Sequence, residues 1–274
     1  MTLLVDVFYL FPFLQCHFCS GLWNLYWSDE FNGPTIDSTK WTHDIGMFYN
    51  NELEFYTNSP DNSYISEGSL IIKALNQSGN YTSARLNTQG KFSTQYGKFE
   101  MRAKLPYGQG MWPAFWLLGN QGPWPACGEI DIMEFIGKTP AQVYSSLHAT
   151  NFNTENNYTY SGGFSNDFHN YTLYWENDLI QFAFDGNLFT NKTRKDAQII
   201  SGNWPFDATG YGAYIILNLA VGGDWPGNPD STTIFPQYYT IDYVRVYKWS
   251  GASSMLFSPR IMILSIIFGL YILG

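Results

Sequence analysis

Charge, cysteine and long apolar runs are all scarce in this sequence, and each scarcity closes off a class of protein. Only 14% of the 274 residues are charged, against about 25% in an average soluble chain. The apolar share is an ordinary 45% and the aromatic share a high 19%, so the chain has ample material for a core and intrinsic disorder is excluded. Cations are the scarcer sign: Lys+Arg 14 against Asp+Glu 23 leave a net charge of −9. That balance repels phosphate backbones and anionic lipid, so nucleic acid is not an expected partner. Of three cysteines, Cys16 and Cys19 lie near the start and Cys127 stands alone. The Cys-x-x-Cys pair has no second metal pair and no evident following helix, so neither zinc nor redox chemistry is read into it. The final uncharged apolar run, Ile261 to Leu273, falls short of the roughly 18–20 residues that span a bilayer as a helix.

The two ends differ from the middle. The first 21 residues contain no Lys or Arg, and an apolar stretch from Val7 to Leu14 leads to Cys19, Ser20 and Gly21. This reads as a secretory signal cut near Gly21, although Asp6, Pro12 and the missing basic start also fit a buried N-terminal segment. At the other end the small residues Ser250, Gly251 and Ala252 precede a spacer to Arg260 and then the apolar tail. That is the layout of a tail exchanged for a glycolipid anchor, and a retained hydrophobic tail is the alternative. Residues 1–21 are thus expected to be a leader, 22–250 one domain and 251–274 the tail signal. Five acceptor sequons, at Asn76, Asn80, Asn157, Asn170 and Asn191, agree with export as a glycoprotein. The expected location is extracellular, secreted or anchored at the surface, with membrane contact only through the tail or its glycolipid. A leader removed at Gly21 would take two cysteines with it, leaving Cys127 unpaired.

Between the ends the apolar pattern has a period of two. In Lys98–Leu105 the even positions Lys98, Glu100, Arg102 and Lys104 are charged, while Phe99, Met101, Ala103 and Leu105 form the other face. That alternation describes a half-buried antiparallel strand. Leu70 to Ile72, Tyr171 to Trp175, Leu179 to Phe184, Tyr214 to Val221 and Ile241 to Tyr247 are further strand segments, rich in β-branched and aromatic residues. Asp185-Gly186 between two of them is a two-residue hairpin turn. With Gly-rich turns between segments and no sustained helical period, the expected class is all-β, two stacked antiparallel sheets in a single domain.

The densest acidic feature is Glu129-Ile-Asp-Ile-Met-Glu134, followed by Phe135. Ile130, Ile132 and Phe135 need covering, so this is a strand with Glu129 and Asp131 together on the opposite face. Glu134, five residues from Glu129, falls on the core side of a regular strand, where an ionised carboxylate costs several kcal/mol. One extra residue absorbed as a β-bulge near Met133 returns it to the side of the other two acids. Four strand steps then separate the glutamate Cα atoms by about 13 Å. Side chains leaning together on a bent strand bring the carboxyls to roughly 5–6 Å, the range of retaining rather than inverting glycoside hydrolysis. On spacing alone, a trio of surface acids at a strand edge remains an equal alternative.

These residues carry a resemblance. Glu129-Ile-Asp-Ile-Met-Glu134 resembles the signature of glycoside hydrolase family 16 in the bulged form of its laminarinases, which act on β-1,3-glucans. Trp27-Ser-Asp-Glu-Phe-Asn-Gly33, Asn50-Asn-Glu-Leu-Glu-Phe-Tyr56, Tyr96-Gly-Lys-Phe-Glu-Met-Arg102, Gly110-Met-Trp-Pro-Ala-Phe-Trp116, Leu217-Asn-Leu-Ala-Val-Gly-Gly-Asp-Trp-Pro226 and Ile241-Asp-Tyr-Val-Arg-Val-Tyr247 resemble further family segments in family order. The resemblance implies a curved β-sandwich jelly roll with a concave glycan-binding cleft. It also implies a retaining endo-glycosidase for β-1,3 or mixed β-1,3/1,4 glucans, with Glu129 as nucleophile, Asp131 as its helper and Glu134 as acid/base. Cys127, just upstream, has no role in it.

The same resemblance places Trp116 and Trp124 beside the sugar at the cleavage point, and Trp112, four residues before Trp116, shares its face; core packing is the alternative for each. It makes His148 a cleft donor to the acid/base or the sugar, with a purely structural histidine as the rival. Asn51 and Arg85 resemble residues that hydrogen-bond sugars on the non-reducing side, with a surface ion pair as the rival for Arg85, and Asn218 and Trp225 are expected as distal contacts. No cofactor is required. The resemblance also implies an optional structural calcium on the convex side, held by backbone carbonyls and one Asp, with Glu30, Gly68 and Asp242 as the matching positions. A monomer whose partner is β-glucan is expected. A wall transglycosylase and a non-catalytic glucan-binding protein are the competing functions: the first differs only in its acceptor, and the second loses the acids that are present here.

Overall fold

The computed structural model describes residues 22–231 and 233–250; the expected leader, the tail and Cys16 and Cys19 lie outside them. Asn24–Lys248 is one compact unit. Two sheets of ten and seven strands account for nearly all regular structure. Pairing is antiparallel except between Glu54–Tyr56 and Asn80–Ser83. The expected all-β sandwich is present, and most of its strands run one to several residues beyond the apolar segments that announced them. Lys98–Leu105 behaves as its alternation demands, for in the strand Gly97–Lys104 the odd positions are buried and the charged even ones are half-exposed. The Asp185-Gly186 turn joins Leu179–Phe184 to Asn187–Thr193, with Phe184 opposite Asn187. Both turn residues have positive φ, 45° and 79°, as a two-residue turn matching the strand twist requires.

The seven-stranded sheet carries the acids. Its order is Phe152–Thr159, Gln142–Ala149, Glu129–Phe135, Met111–Gly119, Ala213–Val221, Arg85–Asn87 and Thr42–Asp44. One face of this sheet supplies core residues, among them Phe115, Leu117, Ile130, Leu147, Ile215, Leu217 and Leu219. The alternate positions therefore form the opposite face: Trp112, Trp116, Asn218, Tyr144 and His148. Gly128, which starts the acidic strand, has φ 75° and little room, since a Cβ there would meet Pro205 Cγ at 2.7 Å. A short helix, Arg194–Ile199, was not foreseen; six residues capped by Thr193 and Asp196 are too few to show a helical period.

The bulge is present, one residue earlier than its expected centre. Against Met111–Gly119, Asp131 faces Trp116 and Met133 faces Phe115, so Ile132 is the additional residue. Against Gln142–Ala149, Asp131 faces Ser146 and Glu134 faces Tyr144. Ile132 and Met133, adjacent in sequence, both enter the core, which a regular strand cannot arrange. The carbonyl of Ile132 accepts a 2.8 Å hydrogen bond from the buried Ser145 hydroxyl, so the displaced backbone oxygen is not left unpaired. Deleting Met133 removes one core side chain and the extra step together. The variant should lose about 2–5 kcal/mol of stability, the usual cost of emptying a large core site, and still fold with all three acids on one face. Far-UV circular dichroism and urea unfolding test this; a chain that no longer folds contradicts the bulged register.

Candidate active site

The strand Glu129–Phe135 presents Glu129, Asp131 and Glu134 to the open face, and each meets a different partner. Trp124 Nε1 donates to Glu129 Oε2 at 2.9 Å. Trp112 Nε1 donates to Glu134 Oε1 at 3.1 Å. Asp131, only 4% exposed, lies between them with its Oδ2 3.3 Å from His148 Nε2. His148 sits directly across from Glu129 in the strand register, and its other ring nitrogen lies 3.0 Å from Asn153 Oδ1. An Nδ1–H donated to that amide oxygen fixes the ring and leaves Nε2 toward the acids.

Three carboxyls this close cannot all ionise. Burial raises Glu129 to about 8, helped by Asp131 and opposed by His148 and Trp124. Burial likewise raises Glu134 well above the ordinary carboxylate range, with Asp131 and Glu129 both adding repulsion. Burial depresses His148, yet Asp131 and Glu129 outweigh it and carry the imidazole up to about 10. Glu129 and Glu134 therefore hold their protons more tightly than free carboxyls, and His148 keeps its positive charge beside them. Asp131 Oδ2 is buried with no hydrogen-bond donor aimed at it. The arrangement supplies a carboxyl that holds its proton, Glu134, beside a second carboxyl, Glu129, with Asp131 between them, which is what acid-assisted attack on a glycosidic carbon uses.

Next to the acids the face is aromatic. Trp116, opposite Asp131, holds its ring through a 2.8 Å hydrogen bond to Asn218 Oδ1. Arg85 lies over Trp116 at 4.9 Å and over Phe48 at 5.1 Å while its Nε donates to Asp44 Oδ2 at 3.0 Å. Trp225 meets Trp112 and Tyr144 edge-on, at 5.4 and 4.9 Å. Indole faces of this kind pack on pyranose C–H groups.

Comparison with known proteins agrees with this geometry. The family model of "Glycosyl hydrolases family 16" matches residues 38–245. The chain belongs to glycosyl hydrolase family 16. It is 40% identical to the glucan endo-1,3-beta-glucosidase A1 of Niallia circulans over 82% of this chain, and spans 38% of that longer protein. It is 38% identical to the beta-glucanase of Rhodothermus marinus, over 83% of this chain and 86% of that one. Among solved structures, the laminarinase catalytic domain from Thermotoga maritima MSB8 is similar at a TM-score of 0.77 and 40% identity, over 82% of this chain and 98% of that one.

Within this family-16 site the expected residues sort into three groups. Glu129, Asp131, Glu134, Trp112, Trp116, Trp124 and His148 come together. His148 was expected on the acid/base or the sugar; among the acids it pairs with Asp131 and not Glu134, because the register sets it across from Glu129. Trp225, expected as a distal contact, packs on Trp112, the indole bonded to Glu134. Asn218 is not a free sugar ligand, since both ends of its amide are taken, by Trp116 and by Tyr56 at 3.1 Å. Asn51 is exposed and bound to both Asp224 oxygens, at 3.1 and 3.0 Å. Arg85 combines the two readings open for it, ion-paired to Asp44 and stacked on Trp116. Asp44, Tyr56, Tyr144 and Asn153 were not singled out; face alternation along their strands is the signal that finds them, once the strands are paired. In the expected calcium set, Arg245 holds the Glu30 carboxylate at 2.9 and 2.7 Å and Arg102 holds Asp242 at 2.6 Å. The backbone carbonyls expected at Glu30 and Gly68 are untouched by these ion pairs, and only the Asp242 carboxylate, held by Arg102, would have to exchange its partner for a cation. Cys127 is buried and free.

The pairing of His148 with the acids has a measurable sign. Its positive charge lowers Glu129, so His148→Ala should raise Glu129 further and move the acid limb of the kcat/KM profile about one pH unit upward. A pH profile with that limb unmoved or displaced downward contradicts the arrangement.

Proposed function

We propose that this chain is a retaining endo-β-1,3-glucanase of the laminarinase type, which hydrolyses internal β-1,3 bonds, and β-1,3/1,4 mixed chains, by double displacement. The observation that carries the reading is the pair of indole-held glutamates on one bulged strand, with a buried aspartate between them. In the first step Glu129 attacks the anomeric carbon as its proton passes to Asp131. Glu134 gives its proton to the leaving oxygen, so the glycosidic bond breaks as the acyl-glycosyl bond forms. In the second step Glu134, now a carboxylate, takes a proton from water, and the water oxygen displaces Glu129. Both steps proceed with side-chain protons and carboxylates alone.

An uncharged, ring-stacking polymer suits a chain of net charge −9 with tryptophans beside its acids. A polysaccharide of this kind is met outside the cell, so the reading places the enzyme's work there. Retention of all three acids favours an enzyme over a glucan-binding module. Water is the acceptor in this reading; a sugar acceptor would use the same covalent intermediate and give longer products in place of hydrolysis.

The two glutamates act at different steps, which separates them experimentally. Glu129→Ala should abolish turnover of every glucoside, because no leaving group replaces a nucleophile. Glu134→Ala should lose about 10²–10⁴-fold on laminarin, keep its attack on an aryl glucoside with an acidic phenol, and yield the β-glycosyl azide when azide is added. Equal losses on both substrates without azide rescue, or recovery of the α-azide, contradict the assignment.

A further inference from the structure

A second acid pair lies beyond the tryptophan platform and outside the mechanism above. Glu54 is completely buried. Its Oε2 accepts a 2.6 Å hydrogen bond from the Val221 amide, while its Oε1, also buried, has no donor pointed at it. An ionised Glu54 would therefore hold one oxygen in the interior unsatisfied, at a cost of several kcal/mol. A protonated Glu54 turns that oxygen into a donor, and a hydrogen bond to the nearby Glu52 carboxylate is among the causes that keep the proton on Glu54. The charges and burial agree: burial first, then Glu52, raises Glu54 to about 9, against the opposing Val221 amide.

From Glu52 a directional chain of hydrogen bonds leads back to the sugar platform. Tyr56 O–H donates to Glu52 Oε2 at 3.4 Å. Asn218 Nδ2 donates to the Tyr56 oxygen at 3.1 Å, and Trp116 Nε1 donates to Asn218 Oδ1 at 2.8 Å. Every donor has one acceptor, and the chain ends on a single negative charge at Glu52, which Asn50 also contacts at 3.2 Å. The charged groups around it come from three other elements. Arg85 lies over Trp116, Asp44 neutralises Arg85, and Asp224 is engaged by Asn51. None of these supplies a cation to balance a second charge at Glu54.

We propose that Glu54, as a neutral acid shared with Glu52, is a positioning residue that holds the Trp116 platform through Tyr56 and Asn218 and so sets substrate binding, not bond cleavage. Loss of its proton removes the donor between the two acids and places two adjacent negative charges at this end of the chain; their repulsion drives Glu52 away from Tyr56 and loosens the indole. This rests on the glucanase reading above, because Trp116 is taken as the sugar platform. The consequence is an alkaline limb in KM, separate from the limb in kcat that follows deprotonation of Glu134.

The experiment measures kcat and KM on laminarin between pH 6 and 10 for the wild type, Glu54→Gln and Glu52→Gln. In the wild type KM should climb to about tenfold at one unit above the Glu54 pKa, since only the protonated fraction binds. Glu54→Gln keeps a donor for Glu52 and an acceptor for Val221 but cannot ionise, so its KM should stay flat while the kcat limb is unchanged. Glu52→Gln removes the charge that raises Glu54, so the rise in KM should move to lower pH. Thermal unfolding supplies a readout independent of turnover. A carboxyl raised in the folded state stabilises fully below its unfolded pKa and loses that contribution as pH rises toward 9. The fall in Tm between pH 6 and 10 should accordingly be smaller in Glu54→Gln. A wild-type KM that is flat, or one that climbs identically in Glu54→Gln, overturns the proposal. A wild type with no activity on laminarin at neutral pH overturns the glucanase reading instead, and the Tm comparison still decides the state of Glu54.

Discussion

Repulsion among three carboxyls on one face of one strand is the constraint that the functional face of this protein is built around. A regular strand would hide Glu134 in the core; the extra residue at Ile132 brings it out beside Asp131 and Glu129. Once there, the acids cannot share a negative charge each, and the surroundings divide the protons among them. Two indole N–H groups take an oxygen from each glutamate, and an imidazolium stands against the aspartate. The uneven division of protons is the chemistry: one neutral acid, one carboxylate relieved through its neighbour.

The same sheet supports the platform beside the acids. Odd positions of Met111–Gly119 and Ala213–Val221 lock into the core, so Trp116 and Asn218 are carried on rigid strands and not on loops. Fixing a side chain through its neighbours costs entropy once, at folding, and spares it at binding. The hydrogen bonds from Trp116 to Glu52 extend that logic to a second buried acid, one that needs its proton for a structural reason. The two acid groups thus depend on pH through different parameters of the same reaction, cleavage at one and binding at the other.

The sequence reveals more of the acids than of their setting. Alternation in Lys98–Leu105 and the Asp-Gly turn are local signals, and both are present as read. The conflict between Glu134 and the period of two also shows in sequence, because a buried charge is costly enough to demand an irregularity; which residue is displaced is settled by packing, and Ile132 proves to be the one. Partners are harder. His148 meets Asp131 only through the register of two strands, and Asn218 reaches Tyr56 from a strand more than 150 residues away. Glu54 reads as an ordinary strand residue until the fold surrounds it, and burial is a property of the fold that a lone glutamate in a sequence does not display.

Trapping the covalent intermediate tests the central claim most directly. A 2-deoxy-2-fluoro-β-laminaribioside with a dinitrophenolate leaving group slows both steps but needs no acid for the first, so it should accumulate the glycosyl-enzyme. Mass spectrometry of the intact protein and its peptides should then find one sugar adduct per chain, attached to Glu129. An adduct on Glu134, or on Asp131, or turnover with inversion and no adduct, would contradict the account.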